Sequence, residues 1–181
     1  MPDLEQHKIE REREKIRPLL EKENINPNSF LATDYLNHFN EVYMLLEMTP
    51  DMPDMLDDVL EWKPKSYVEH FRDSGLHARH LIIEAYHLCP DRYRLTFDRL
   101  VSRLDYLLLD TIEAAHIARQ KENLSQMAEI IQSRAEKVQE LISGISAVIN
   151  DTNDTNQQTD IDDLFDDETE LFVLEDALGK N

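Results

Sequence analysis

The sequence predicts an all-α fold: a helical bundle of about five or six helices with a long C-terminal helix pair and a disordered acidic tail. Three observations support it. Only 3 of the 181 residues are Gly, whereas Leu, Glu, Ile and Ala are abundant, which favours helix over sheet. Residues 91–150 contain one Gly, Gly144, no Pro, and apolar residues at helical spacing nearly throughout. The acidic residues are concentrated near the C-terminus.

Residues 1–26 are predicted to form a charged N-terminal helix. Acids and bases alternate closely over residues 10–15, so this helix has only a thin apolar seam. The seam consists of Leu4, Ile9, Ile16, Leu19 and Leu20. We expect the helix to be interrupted or kinked near Pro18, because a proline lacks the backbone N–H that helix hydrogen bonding needs.

The bundle domain is assigned to residues 27–150, and its first part contains four predicted helices. The first runs from Phe30 to Met48 and the second from Pro53 to Trp62. The third begins at a capping box formed by Ser66 and Glu69, and the fourth runs from Leu76 to about Leu88. Prolines end three of them, because the residue before a proline resists the α conformation. We expect the apolar faces of these helices to form the core.

Two apolar seams run through residues 91–150. The first comprises Phe97, Val101, Leu104, Leu108, Thr111, Ala115 and Ala118, and the second Leu124, Met127, Ile131, Arg134, Val138, Leu141, Ile145 and Val148. The seams are out of phase, so either the helix breaks between Lys121 and Ser125 or one long helix changes its buried face. We favour the break, which gives an antiparallel helix pair. The second seam pairs either within the chain or with a second chain, as a homodimer through residues 124–149.

Composition and charge exclude several classes of function. The net charge is −19, which argues against binding to nucleic acid or to anionic membranes. No apolar run approaches the ~20 residues that a membrane helix needs, and residues 1–17 contain no apolar signal core. A single cysteine, Cys89, cannot form an intramolecular disulfide. We therefore expect a cytoplasmic protein without a cofactor.

A metal site is the alternative hypothesis. Glu84 with His87 and Glu113 with His116 form two Glu-x-x-His pairs, the pattern of di-iron helical bundles, and His77 and His80 extend the first stripe. However, Glu113 lies about 170° and His116 about 110° from the centre of the apolar face of their helix. The first stripe also lies beside its apolar face. A solvated polar face explains these residues, and likewise His38 and Glu41, so no metal ligand is predicted.

Catalysis by a nucleophile has little support in the sequence. Cys89 precedes Pro90 and follows His87 by two residues, and no cation or helix N-terminus that would activate the thiol is evident. Three glycines could scarcely build a phosphate-binding loop. The sequence therefore favours a protein that is not an enzyme.

The tail consists of a linker, residues 151–159, and an acidic peptide, residues 160–181. The residues after Asn150 include 11 acids and one Lys, which gives the last sixth of the chain a net charge of −10. Its apolar residues are interspersed with acids, as in peptides that become ordered on a partner. A solubilising tail is the simpler explanation.

Residues 158–165, Gln-Thr-Asp-Ile-Asp-Asp-Leu-Phe, resemble the terminal peptides with which the flagellar motor switch protein and the chemotaxis phosphatase dock onto the chemotaxis response regulator. Ile161 and Leu164 stand at the aliphatic positions, Asp160 and Asp162 flank Ile161, and Phe165 replaces a second Leu. The resemblance implies docking on a response regulator through these five residues.

The resemblance does not extend to catalysis. The phosphatase is also a long helical hairpin with a flexible linker before its peptide, but its hairpin presents an Asp and a Gln on a recognisable motif. Gln126, Gln132 and Gln139 lie in a helix of the right kind without that surrounding pattern. We therefore expect a non-enzymatic interaction or regulatory protein.

Overall fold

The computed structural model describes residues 2–152, and within them it contains seven α-helices and no β-strand. The helices are α1 (Pro2–Leu20), α2 (Asn37–Met48), α3 (Met55–Glu61), α4 (Tyr67–Asp73), α5 (Arg79–His87), α6 (Asp91–Gln120) and α7 (Leu124–Asn150). Two 3₁₀ turns, Glu21–Glu23 and Thr33–Leu36, precede α2. The predicted all-α bundle is confirmed. None of the described helices is long and apolar enough to cross a membrane.

The long helices α6 and α7 form an antiparallel hairpin that breaks where the sequence predicted. Glu122 adopts a left-handed conformation with φ 55°, and the Asn123 side chain accepts a hydrogen bond from the Gln126 N–H at 3.0 Å. At the other end of the hairpin, the Tyr93 hydroxyl near the start of α6 donates to Asp151 at 2.6 Å. Between α6 and α7 the chain therefore reverses direction through a capped turn.

The apolar seam of α7 is buried within the same chain. Met127, Ile131, Val138, Leu141, Ile145 and Val148 are each at most 4% exposed. The polar interruption at Arg134 is matched on α6, because its guanidinium contacts Asp110 at 2.6 Å and Thr111 at 3.3 Å. Most of the stripe that suggested a homodimer through residues 124–149 is thus covered by this chain, whereas Leu124 at its start is 49% exposed.

The predicted helix from Phe30 to Met48 is wrong in its first turn, which is a loop. The Asn26 side chain accepts hydrogen bonds from the N–H groups of Asn28 and Ser29, and Phe30 is left-handed with φ 63°. These local bonds compete with helix formation, and the buried side chain of Phe30 holds the loop against the core. The α-helix consequently begins at Asn37, after the 3₁₀ turn.

This loop also closes the end of the hairpin. The Ser29 hydroxyl donates to the Ile149 carbonyl at 2.5 Å, and the Asn28 amide donates to Asp151 at 2.9 Å. Carbonyls in the last turn of a helix lack partners within the helix, so the Ser29 contact satisfies a group that α7 leaves open, and the Asn28 contact holds the side chain of Asp151 just after the helix. The Arg17 guanidinium lies 5.1 Å from the centre of the Phe30 ring and connects α1 to the same loop.

Smaller differences concern helix ends. α1 is not interrupted at Pro18 but continues to Leu20, and α3 and α5 begin at Met55 and Arg79, later than predicted. The capping box before α4 is confirmed: Ser66 Oγ accepts from the Glu69 N–H at 3.3 Å, and Glu69 accepts from the Ser66 N–H at 3.0 Å.

Candidate functional site

The five tail residues predicted to bind a partner lie outside the described residues. They are Asp160, Ile161, Asp162, Leu164 and Phe165. The described residues end at Thr152, before the segment that the docking hypothesis concerns.

The histidine and glutamate stripes are surface features. His77, His80, Glu84, His87 and Glu113 are exposed, which confirms that Glu113 points away from the core. His116 is half-buried, with Nε2 2.9 Å from the side-chain nitrogen of Gln120. Within residues 2–152, no three His, Cys, Asp or Glu side chains come together in a way that could hold a metal ion.

Cys89 is a buried thiol. Burial is the main reason that its pKa is raised to about 12, and its Sγ lies 3.6 Å from the Pro90 carbonyl oxygen. A thiol in this environment remains protonated at neutral pH, whereas a nucleophilic cysteine must be a thiolate. Its position therefore supports packing rather than catalysis.

A groove of about 770 Å³ lies between α2, α3 and α4, and we name it the His38 groove. Its walls come from the first two turns of α2, from the end of α3, from the connection between α3 and α4, and from the last turn of α4. The lining residues are Asn37, His38, Glu41, Val42, Leu45, Asp58, Glu61, Trp62, Lys63, Lys65, His70, Asp73 and Ser74.

The connection between α3 and α4 is fixed to α2 by His38. The Trp62 indole N–H donates to the His38 carbonyl at 3.1 Å, and the Lys65 backbone N–H donates to His38 Nε2 at 3.2 Å. The Trp62 and His38 rings stack with their centres 5.0 Å apart. The Tyr35 hydroxyl adds a bond to the Lys65 carbonyl at 2.8 Å. One wall of the groove is therefore held by hydrogen bonds at both of its ends.

Two neutral histidines lie side by side in the groove. The rings of His38 and His70 are 5.7 Å apart. Burial lowers the pKa of His38 to about 4, with smaller effects from His70 and Lys65. Burial also lowers the pKa of His70, although a hydrogen bond with the Asp34 backbone partly offsets this. Because His38 Nε2 accepts a hydrogen bond, we assign its proton to Nδ1.

The prediction that His38 lies on a solvated face is wrong. The residue is only 9% exposed. The signal was present, since His38 follows the buried Tyr35 of the 3₁₀ turn by three residues and precedes the buried Val42 of α2 by four. His70, Trp62 and Lys65 were not predicted as site residues, because only tertiary packing brings α4 and the connection between α3 and α4 to His38.

Carboxylates outnumber cations around the groove. Glu41, Asp58, Glu61 and Asp73 line it together with Lys63 and Lys65, which is a net charge of −2. Lys65 forms an ion pair with Asp73 at 2.8 Å, and this partner lowers the pKa of Asp73. The remaining carboxylates, on α2 and α3, are exposed. The groove is consequently an electronegative surface beside an aromatic side chain.

Two polar side chains of the lining are engaged in holding the walls of the groove. The one hydroxyl group among the lining residues is that of Ser74, which donates to the Phe71 carbonyl at 2.8 Å. His38 uses Nε2 to hold the backbone, so it is not available there as a general base. The arrangement can accept a polar or cationic group between rigid walls.

The fold and the groove together define an all-α protein with a groove between α2, α3 and α4. Comparisons with protein-family models, curated proteins and solved structures found no match to this chain. The function is therefore inferred from the residues of this chain.

Proposed function

We propose that this chain is a non-enzymatic interaction or regulatory protein whose acidic C-terminal peptide becomes ordered on a protein partner. The observation that carries the proposal is the pattern of residues 158–165, in which Ile161 and Leu164 are spaced i and i+3 among aspartates. That spacing places both aliphatic side chains on one face of a helix, the arrangement that helix-in-groove recognition requires.

The most concrete partner is the receiver domain of a chemotaxis-type response regulator in the bacterial cytoplasm. The resemblance of residues 158–165 to known docking peptides supports this choice. Helical ordering would insert Ile161, Leu164 and Phe165 into an apolar groove of the partner, while Asp160 and Asp162 face basic residues on its rim.

The helical domain provides a packed scaffold for the tail. Its last helix, α7, ends at Asn150, and the acidic segment follows it in the sequence.

The test measures binding of the full chain to a purified receiver domain by calorimetry, with the receiver in its phosphorylated and unphosphorylated forms. Ile161→Ala combined with Leu164→Ala should abolish binding, because truncating two buried anchors removes on the order of 4 kcal/mol of binding free energy. Circular dichroism should remain unchanged.

The matched control is Leu171→Ala combined with Leu174→Ala, which removes two leucines at the same spacing from a later part of the same tail. This control should bind as the unmodified chain does. Binding that survives the first double change shows that residues 158–165 are not the site. If both double variants lose binding equally, general tail hydrophobicity rather than the pattern is responsible.

A further inference from the structure

We propose that the His38 groove is a second binding site, which takes an arginine- or lysine-containing segment of a protein partner. This site goes beyond the proposed function of the tail, because it belongs to the helical domain and has the opposite charge preference. The tail would meet a basic surface, whereas the groove would receive basic side chains.

The size of the groove suits such an occupant. Its volume of about 770 Å³ falls within the range of roughly 300–1,000 Å³ that is usual for ligand sites. Its walls come from α2, α3 and α4 and from the connection that enters α4, so an extended segment can lie between them.

The charges of the lining favour a cation. Glu41 stands on one wall, Asp58 and Glu61 stand on another, and all three are exposed at the mouth of the groove. Lys65 is neutralised by its ion pair with Asp73, which leaves Lys63 as the cation that opposes these three carboxylates. Carboxylates at the mouth attract a guanidinium or ammonium group and raise its rate of encounter.

Trp62 adds a surface on which a cation can rest. An indole ring is the strongest cation–π acceptor among the side chains, and the planar guanidinium of arginine stacks on it readily. The neighbouring imidazoles of His38 and His70 are neutral at physiological pH, since burial disfavours their charged forms. They therefore do not repel an incoming positive charge.

The groove is organised before any ligand arrives. The indole N–H of Trp62 and the backbone N–H of Lys65 are both bonded to His38, and the ring of Trp62 is stacked on the same residue. Side chains that are already ordered lose little conformational entropy on binding. The presence of hydrogen bonds at both ends of this wall favours a defined recognition site over a deformable surface.

The experiment uses Trp62 as its reporter, because it is the single tryptophan of the chain. The full-length protein is titrated with a short peptide that alternates Arg and Gly, while tryptophan fluorescence and the NMR shift of the indole N–H are followed. A peptide of the same length with Glu in place of Arg is titrated in parallel. We expect saturable changes with the basic peptide alone.

Two double variants separate the groove from general electrostatics. Glu41→Gln with Glu61→Gln removes two charges from the groove, and Glu129→Gln with Glu136→Gln removes two exposed charges from α7. The first pair should weaken binding roughly tenfold, as expected for the loss of two modest ion pairs. The second pair should leave the affinity close to that of the unmodified chain.

Three outcomes would overturn the proposal. They are an indole signal that does not respond to the basic peptide, an equal response to the acidic peptide, and equal weakening in both double variants. Equal weakening would mean that the net charge of −19, and not the groove, attracts the peptide. The variant with Ile161→Ala and Leu164→Ala should keep full groove binding, so failure of one site is distinguishable from failure of the other.

Discussion

At the scale of single residues, His38 joins the walls of the groove. Its backbone carbonyl and its Nε2 each receive a hydrogen bond from the connection between α3 and α4. Only the neutral imidazole can accept the bond from Lys65, because a protonated ring is a donor at both nitrogens. The stability of this connection is therefore coupled to the proton on His38.

This coupling predicts a loss of stability in mild acid. The folded-state pKa of His38 is about 4 and lies below its ordinary value of 6.5, so the unfolded chain binds the proton first as the pH falls. The contribution is fully present above pH 6.5 and is lost progressively towards pH 4. Between pH 7 and pH 5 it should lower the free energy of unfolding by about 2 kcal/mol, as measured by urea denaturation.

His38→Gln isolates this effect. A glutamine amide oxygen can accept the Lys65 N–H and does not titrate, so the variant should lose less stability than the unmodified chain over the same pH interval. His77→Gln, at an exposed histidine, serves as the control and should keep the original pH dependence. An unchanged pH dependence in His38→Gln would mean that other groups cause the acid effect.

At the scale of secondary-structure elements, the N-terminus of α4 is fixed by a reciprocal cap. Ser66 and Glu69 exchange hydrogen bonds, and the residue before them, Lys65, is the one held by His38. The cap thus determines where α4 begins relative to the groove. His70, in the last turn of this short helix, lies in the groove.

Ser66→Ala should lower the free energy of unfolding by about 1 kcal/mol, because the variant leaves the Glu69 N–H without its side-chain acceptor. Ser66→Thr keeps a hydroxyl that can accept from the Glu69 N–H and donate to the Glu69 carboxylate, so it should retain most of the stability. Thermal unfolding followed by circular dichroism measures both variants. Equal losses in the two would show that the serine contributes through something other than capping.

At the scale of the whole molecule, the α6–α7 hairpin supplies nearly half of the buried apolar side chains among the described residues. Six apolar residues of the α7 seam are covered within the chain, and Arg134 contacts Asp110 and Thr111 of α6, although Leu124 at the start of the seam is exposed. A helix pair that buries its main seam internally does not require a second chain for that seam.

This packing predicts unfolding that is independent of protein concentration. Ile131→Ala should lower the free energy of unfolding by roughly 2–5 kcal/mol through the cavity that it leaves. The denaturation midpoints of the unmodified chain and of this variant should each stay constant over about a hundredfold range of concentration. Midpoints that rise with concentration would indicate that residues 124–149 pair between chains.

Much of the helical pattern could be predicted because its causes are local. The break after Gln120, the capping box at Ser66 and the outward position of Glu113 all follow from side chains within a few residues of each other. The candidate site could not be predicted in this way. Trp62 and Lys65 lie 24 and 27 residues from His38, the residue that holds them.

The sequence by itself determined the all-α class, the helical hairpin and the concentration of acid in the tail, because periodicity, capping and charge are properties of short stretches. Tertiary structure decided that the ring of Phe30 and the side chain of His38 are buried. In the Phe30 loop this burial acts together with the local hydrogen bonds that the Asn26 side chain accepts, whereas the burial of His38 depends on long-range contacts. Burial of the Phe30 ring compensates for an uncommon backbone conformation, and contacts from α3 and α4 exclude water from a histidine that α2 alone would leave half solvated.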